Sequence, residues 1–281
     1  MKKIVPIFCG FLFSSFSAAA AHELVSHKAV YDIALASTKG GAAGVVNAYG
    51  KMGYRIQKVC DQWETESVFS LDIGYEMAGP DTTNWKQTTK ESADGCLFEF
   101  DVFVREKGAD RKDLSGKAVC DGNKKILRLK LPVQSEAVFP GNVVFPVQQT
   151  LRLLQAAESG KKSVSAYVYD GTRPEALYSM NAVISVPEKT DVPKIAGDVN
   201  LVTDKKSYRY DAAFFEEFGG SKQQDGTPQY EVTMHYYENG ISDQIEQDFG
   251  AYRLKSTLAE IKKLKDVPCS LKKKRQPLTT R

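Results

Sequence analysis

The chain is poor in the residues that most often carry chemistry. It has three histidines, two tryptophans and five cysteines in 281 residues, and no pair of cysteines is spaced as C-x-x-C. That spacing removes the usual redox centre and the zinc knuckle. G-x-S-x-G, H-E-x-x-H, Walker A and EF-hand loops are all missing. Charge of one sign is also lacking. The 38 basic side chains, two of them the leader residues Lys2 and Lys3, face 35 acidic ones. A nucleic-acid binder would show a concentrated basic surface, so that class is excluded. After residue 16 no apolar run approaches membrane length, so no transmembrane segment is expected in the mature chain.

The few motif-like groupings fail on position. Ser159-Gly160-Lys161-Lys162 matches S-x-x-K, but that chemistry needs the serine at a helix start, and this one falls at a predicted helix end. Lys189-Thr190-Asp191 lacks the glycine of the companion K-T-G. His22 and His27 are expected in a frayed mature start. His235, between Met234 and Tyr236, is expected on the solvent side or at a sheet edge. Glu216 and Glu217 are adjacent, so on a strand they point to opposite faces. No catalytic centre, metal site or cofactor is expected, and the chain does not read as an enzyme.

What is present begins with an export signal. Lys2 and Lys3 precede an apolar stretch from Ile4 to Phe16, and Ser17-Ala18-Ala19-Ala20-Ala21 supplies small residues for cleavage. Residues 1–21 are read as a signal peptide, and 22–281 as a single periplasmic domain ending in the basic tail Lys272-Lys273-Lys274-Arg275. Cys9 leaves with the leader, and Cys60, Cys96, Cys120 and Cys269 remain. In an exported chain an even count points to two disulfides, although four free buried thiols would fit the composition too. Cys96 and Cys120 lie symmetrically about Gly108, inside the turn-like phrase Lys107-Gly108-Ala109-Asp110. A hairpin there sets them opposite each other, which leaves Cys60 for Cys269.

The strongest pattern is alternation of period two. Trp63, Thr65, Ser67, Phe69, Leu71, Ile73, Tyr75 and Met77 share one face of a candidate strand too long to stay flat. Shorter alternations start at Tyr31, Phe98, Leu127, Val164, Tyr208 and Tyr230. Asn239-Gly240 predicts a type I′ hairpin turn between strands near 230–238 and 241–249. One amphipathic helix is predicted over 146–158, with Pro146 in its first turn and Val147, Leu151, Leu154 and Ala157 on one face. Leu254, Leu258, Ile261 and Leu264 have helical spacing but fit a final strand equally well. The fold class is all-β and mainly antiparallel.

Particular phrases add a family. Gly50-Lys51-Met52-Gly53-Tyr54-Arg55 leads to Cys60-Asp61-Gln62-Trp63. Glu91-Ser92-Ala93-Asp94-Gly95, Phe145-Pro146…Thr150-Leu151…Leu154 and Tyr237-Glu238-Asn239-Gly240-Ile241…Asp248-Phe249-Gly250 follow in order. Over roughly residues 26–269 the chain resembles the EipB family of periplasmic cell-envelope integrity proteins. The resemblance implies a β-spiral: a long curled sheet forming an open, barrel-like body around one helix. It also places the family's disulfide on Cys60 and Cys269, with Cys96 and Cys120 an addition. Gln149 stands where similar sequences often carry histidine. A periplasmic tetratricopeptide-repeat protein is implied as a partner, and no enzyme activity is implied. Two functions remain open: a non-enzymatic binding or scaffolding protein of the envelope, and a lipid or lipoprotein carrier of LolA/LolB-like shape. A cavity of several hundred Å3 lined by Phe and Tyr would favour a carrier, and a filled interior a scaffold.

Overall fold

Long alternating segments need neighbours of matching length, and the chain supplies them by folding back on itself repeatedly. The computed structural model describes residues 23–39, 44–77, 79–106, 112–174, 176–187, 194–218 and 226–272. The leader, His22, the 107–110 turn and the tail beyond Lys272 lie outside these. Eight strands come first: β1 (His27–Thr38), β2 (Val45–Val59), β3 (Gln62–Tyr75), β4 (Asp81–Ser92), β5 (Leu97–Glu106), β6 (Lys112–Asp121), β7 (Lys124–Leu131) and β8 (Ser135–Pro140). Helix α1 (Pro146–Glu158) follows. Then come β9 (Ser163–Val168), β10 (Leu177–Ser185), β11 (Ala196–Gly197), β12 (Ser207–Phe218), β13 (Tyr230–Tyr237), β14 (Ser242–Asp248), β15 (Tyr252–Lys263) and a short α2 (Cys269–Lys272).

All fifteen strands join one sheet in the order β8-β7-β6-β5-β4-β3-β2-β1-β15-β14-β13-β12-β10-β9, with β11 added in parallel to β15. The first and last long strands therefore pair in the middle, and the sheet's two edges belong to β8 and β9, the strands that α1 connects. The sheet curls around the helix without closing into a full barrel. Register shifts at Val30/Tyr31, Val45/Asn47, Ser115/Gly116 and His235/Tyr236 mark bulges, which bend strands and increase twist. Where the edges approach, the Val144 N–H donates to the Tyr167 carbonyl (2.8 Å) and the Tyr169 N–H to that of Val144 (3.1 Å).

Two details differ from the sequence reading, and one alternative that it left open is settled. β3 ends at Tyr75, and Met77 is 96% exposed beyond it. The Glu76 N–H turns to the Gly44 carbonyl there, and the chain leaves the sheet. The hairpin at 238–240 is not type I′. Only Gly240 has positive φ (82°), and its N–H donates to the Tyr237 carbonyl. Asn239 instead spends its side chain on the Leu201 carbonyl and the Ile241 N–H, in a buried site. Last, the segment left open between helix and strand is strand: β15 runs Tyr252–Lys263, and Leu264 lies just beyond it. Val30 pairs with Glu260 and Tyr31 with Leu258, so Ala259 is an extra, bulged residue. One bulge converts period-two spacing into the 254, 258, 261 series that imitates a helix.

Helix α1 stands where predicted, with Val147, Leu153, Leu154, Ala156 and Ala157 buried. Pro146 at its start contributes no N–H, and Gly160 (φ 73°) donates to the Ala157 carbonyl at its end. The cap is supplied from far away in sequence. Glu91 on β4 accepts the Val147 and Gln148 N–H groups, both at 2.9 Å, and so satisfies two of the helix's orphan donors. Beside the same end, Lys125 on β7 is buried, donates to the Gly95 and Val143 carbonyls (2.7 Å each), and sits 4.2 Å from the Phe145 ring centre.

Candidate functional site: a hollow beside the helix

The interior is filled on one side of α1 and hollow on the other. In the filled part Phe98 stacks on Phe145 (4.7 Å between centroids) and lies near Phe100 (5.4 Å), with Tyr169 edge-on. Phe100 fits because two neighbours lack side chains. A Cβ on Gly116 or Gly171 would lie 2.7 Å from its ring.

The hollow is a cavity of about 350 Å3 between the inner face of β1–β4, helix α1 and strands β12–β14. One wall is small and polar. On β3 and β4, Thr65 pairs with Thr89 and Ser67 with Gln87, all facing inward. The Thr65 and Thr89 hydroxyls lie 2.7 Å apart, and Gln87 donates to the Asp170 carbonyl (2.7 Å). The opposite wall is larger and less polar, built from Tyr230, Val232, Met234 and Tyr236 at alternate positions of β13, with Phe214 from β12. Phe214 and Tyr230 stack at 4.6 Å with an interplanar angle of 13°. The helix contributes Gln149 and Thr150, and Gln149 Nε2 lies 3.0 Å from the Met180 sulfur.

Charge is scarce in the hollow. No lysine or arginine lines it among the described residues. Of its titratable groups, Asp170 has its carboxyl pushed upward by burial, against donors from the Thr172 N–H and hydroxyl. Burial lowers His27, disfavouring its charged form, against the Nδ1–H that it donates to the Val25 carbonyl. Burial also raises Tyr31, Tyr54, Tyr230 and Tyr236. Every titratable side chain of the lining is thus driven toward its uncharged form.

Placement of the histidines corrects the sequence reading twice. His27 is not frayed: it opens β1, is 2% exposed and borders the cavity. His235 is not a solvent histidine. Its Nδ1 lies 2.6 Å from Asp243, which also accepts the Tyr237 hydroxyl (2.8 Å). Its Nε2 is buried and has no hydrogen-bond partner among the described residues, so no hydroxyl or thiol among them is positioned for it to activate. Ser159 caps the end of α1, with its hydroxyl on the Gln155 carbonyl.

Cys60, Cys96 and Cys120 fall at the ends of strands, and Cys269 opens α2. Cys96 and Cys120 stand opposite each other in the β5–β6 pairing, Cα atoms 4.9 Å apart, beside the Gly95 carbonyl that Lys125 holds. Cys60 in the β2–β3 turn meets Cys269 with Cα atoms 4.4 Å apart. There the Cys60 N–H donates to the Val267 carbonyl, laying the chain's last segment along the end of β2. Leu24 seals the hollow nearby, packed on Ile56, Trp63, Val147 and Leu154.

Sequence reasoning missed Glu91, Lys125 and Asp170 as buried polar groups. The first two carried a readable signal. Glu91 shares inward parity with Gln87 and Thr89 on β4, and Lys125 with Leu127 and Leu129 on β7. A charge on an inward position is an anomaly worth naming.

Comparison with known proteins gives consistent results. A family model described as EipB-like matches residues 18–265. The cell envelope integrity protein EipB of Brucella abortus (strain 2308) is 27% identical over 256 residues, covering 87% of this chain and 86% of that protein. A crystal structure of a β-barrel-like protein of a domain of unknown function from Brucella abortus superposes with a TM-score of 0.78. It is 24% identical and covers 87% of this chain and all of the other.

Proposed function

The chain belongs to the EipB-like family, and from that premise we propose that it supports cell-envelope integrity in the periplasm without catalysis, by holding a small molecule inside its curled sheet. The observation that carries this reading is the cavity of about 350 Å3 beside α1. Interiors are ordinarily packed, and a hollow of that size lies within the range of small-ligand sites. A scaffold has no use for it. The inward positions Thr65, Ser67 and Thr89 keep the space open by their small size. Support for a non-catalytic role comes from the chemistry of the site. Its titratable groups are driven toward their uncharged forms, and beside Asp243 the His235 Nε2 meets no hydrogen-bond partner among the described residues.

The lipoprotein-carrier reading draws on the same hollow, but a wall of Thr, Ser and Gln is a poor match for bare acyl chains. The test is complementation of a deletion strain with Ser67→Trp, whose indole would occupy the hollow. The reading expects a folded, exported variant that fails to restore resistance to detergents and cell-wall antibiotics. Full complementation by the filled variant would overturn it.

A further inference from the structure

The hollow has two unlike walls, and together they specify more than its volume. One is a two-by-two patch of uncharged hydrogen-bonding groups: Thr65 and Ser67 on β3, Gln87 and Thr89 on β4. The other is apolar and aromatic, with the stacked pair Phe214 and Tyr230 in its lining together with Asp170. No lysine or arginine lines the space among the described residues, and the buried Lys125 is committed to the Gly95 and Val143 carbonyls. An anionic head group entering would shed its water and meet no counter-charge. A bare hydrocarbon would strip water from the Thr, Ser and Gln groups and give nothing back.

Taking the ligand-holding role as given, we infer that the cavity between β3–β4 and β12–β13 is a binding site for an uncharged, hydroxyl-rich amphiphile of the glycoside class. A saccharide ring carries hydroxyls around its rim and apolar C–H groups on its faces. The rim matches the Thr65/Ser67/Gln87/Thr89 patch, and the apolar C–H groups match the wall of Phe214, Tyr230, Val232 and Met234. An alkyl substituent would run along Val232, Met234 and Ile245.

The test compares three single-chain probes below their micellar concentrations: octyl glucoside, octanoate and octyltrimethylammonium, which share a tail and differ in head group. Calorimetric titration of the oxidised full mature chain should give octyl glucoside at least tenfold tighter binding than either ion. Glucose without the tail should bind more weakly than octyl glucoside, which identifies an alkyl glycoside rather than a free sugar as the ligand type. Ser67→Trp and, from the other wall, Ile245→Trp should each abolish binding while melting near the wild-type temperature. Gln87→Leu should weaken the glycoside at least tenfold and leave octanoate unchanged. Equal or tighter binding of octanoate or of the cation would overturn the assignment and leave the ligand-holding reading standing. Glycoside binding that survives both tryptophan variants would place the site elsewhere and overturn it too. Failure of all three probes would also overturn it. The complementation result with Ser67→Trp decides separately whether the cavity matters in the cell.

Discussion

The two sides of α1 are built by the same alternation and end differently. Across β3, β4 and β5 the inward residues align in rows: Trp63, Glu91 and Phe98; Thr65, Thr89 and Phe100; Ser67, Gln87 and Val102. In the middle row, moving from β5 toward β3, an aromatic ring gives way to two hydroxyls, and the interior opens beside Thr65 and Ser67. Periodicity sets which face a residue occupies, and side-chain size on that face decides whether the space is core or cavity. Phe100 stands against Gly116 and Gly171, large against absent, and leaves no void. Thr65 and Ser67 line the hollow together with Met234 and Tyr236 and leave one.

The largest effects are expected where the chain is tied rather than where it is hollow. On a chain-entropy account the Cys60–Cys269 bridge, spanning 209 residues, contributes about 5 kcal/mol, and the Cys96–Cys120 bridge, spanning 24, about 3.5 kcal/mol. Denaturant unfolding of oxidised Cys60→Ser should therefore show the greater loss. A larger loss for Cys96→Ser would mean that the filled end, not the clasp at the hollow end, dominates stability.

Next comes the filled side itself. Phe98→Ala removes a fully buried ring from a stack with Phe145 and should cost about 3–5 kcal/mol. Met234→Ala, which enlarges a space already present, should cost distinctly less. Equal losses in the same unfolding assay would erase the distinction between core and hollow.

The helix cap gives a pH signature. Burial raises the Glu91 carboxyl from an ordinary 4.5 to about 7, despite the two N–H donors and Lys125. Folding thus favours the protonated form. That contribution is fully present below about pH 4.5 and is lost as pH rises through 7, on the order of 3 kcal/mol in all. Glu91→Gln cannot titrate, so its stability curve should be flatter than that of the wild type over this window. Parallel curves would remove Glu91 as the source.

Much of this fold was legible because alternation is a strong signal when sustained. The β5–β6 register, Leu97 opposite Val119, is the one implied by placing Cys96 and Cys120 symmetrically about Gly108. Helix α1 matched its predicted bounds because Pro146 and Gly160 punctuate it. Illegible features were those fixed by distant partners. Asn239 abandons the type I′ turn for Leu201, and His27 leaves the terminus for an interior site against Tyr54. The Ala259 bulge disguised β15 because one unpaired residue shifts parity without any local mark. The hollow was foreseen only as a question, since Thr65 and Ser67 read as ordinary members of an alternating face until Tyr230 and Phe214 are seen opposite.

The smallest stability effect carries the most functional weight. Ser67→Trp should change unfolding free energy by no more than about 1 kcal/mol, because the indole enters existing space. The most direct test of the account is native mass spectrometry of wild type and Ser67→Trp isolated from cells without detergent. A hollow that holds a small molecule predicts a discrete added mass on the wild type, lost on denaturation and missing from Ser67→Trp. Wild-type protein recovered only at its bare mass, beside a Ser67→Trp variant that fully restores the envelope, would contradict it.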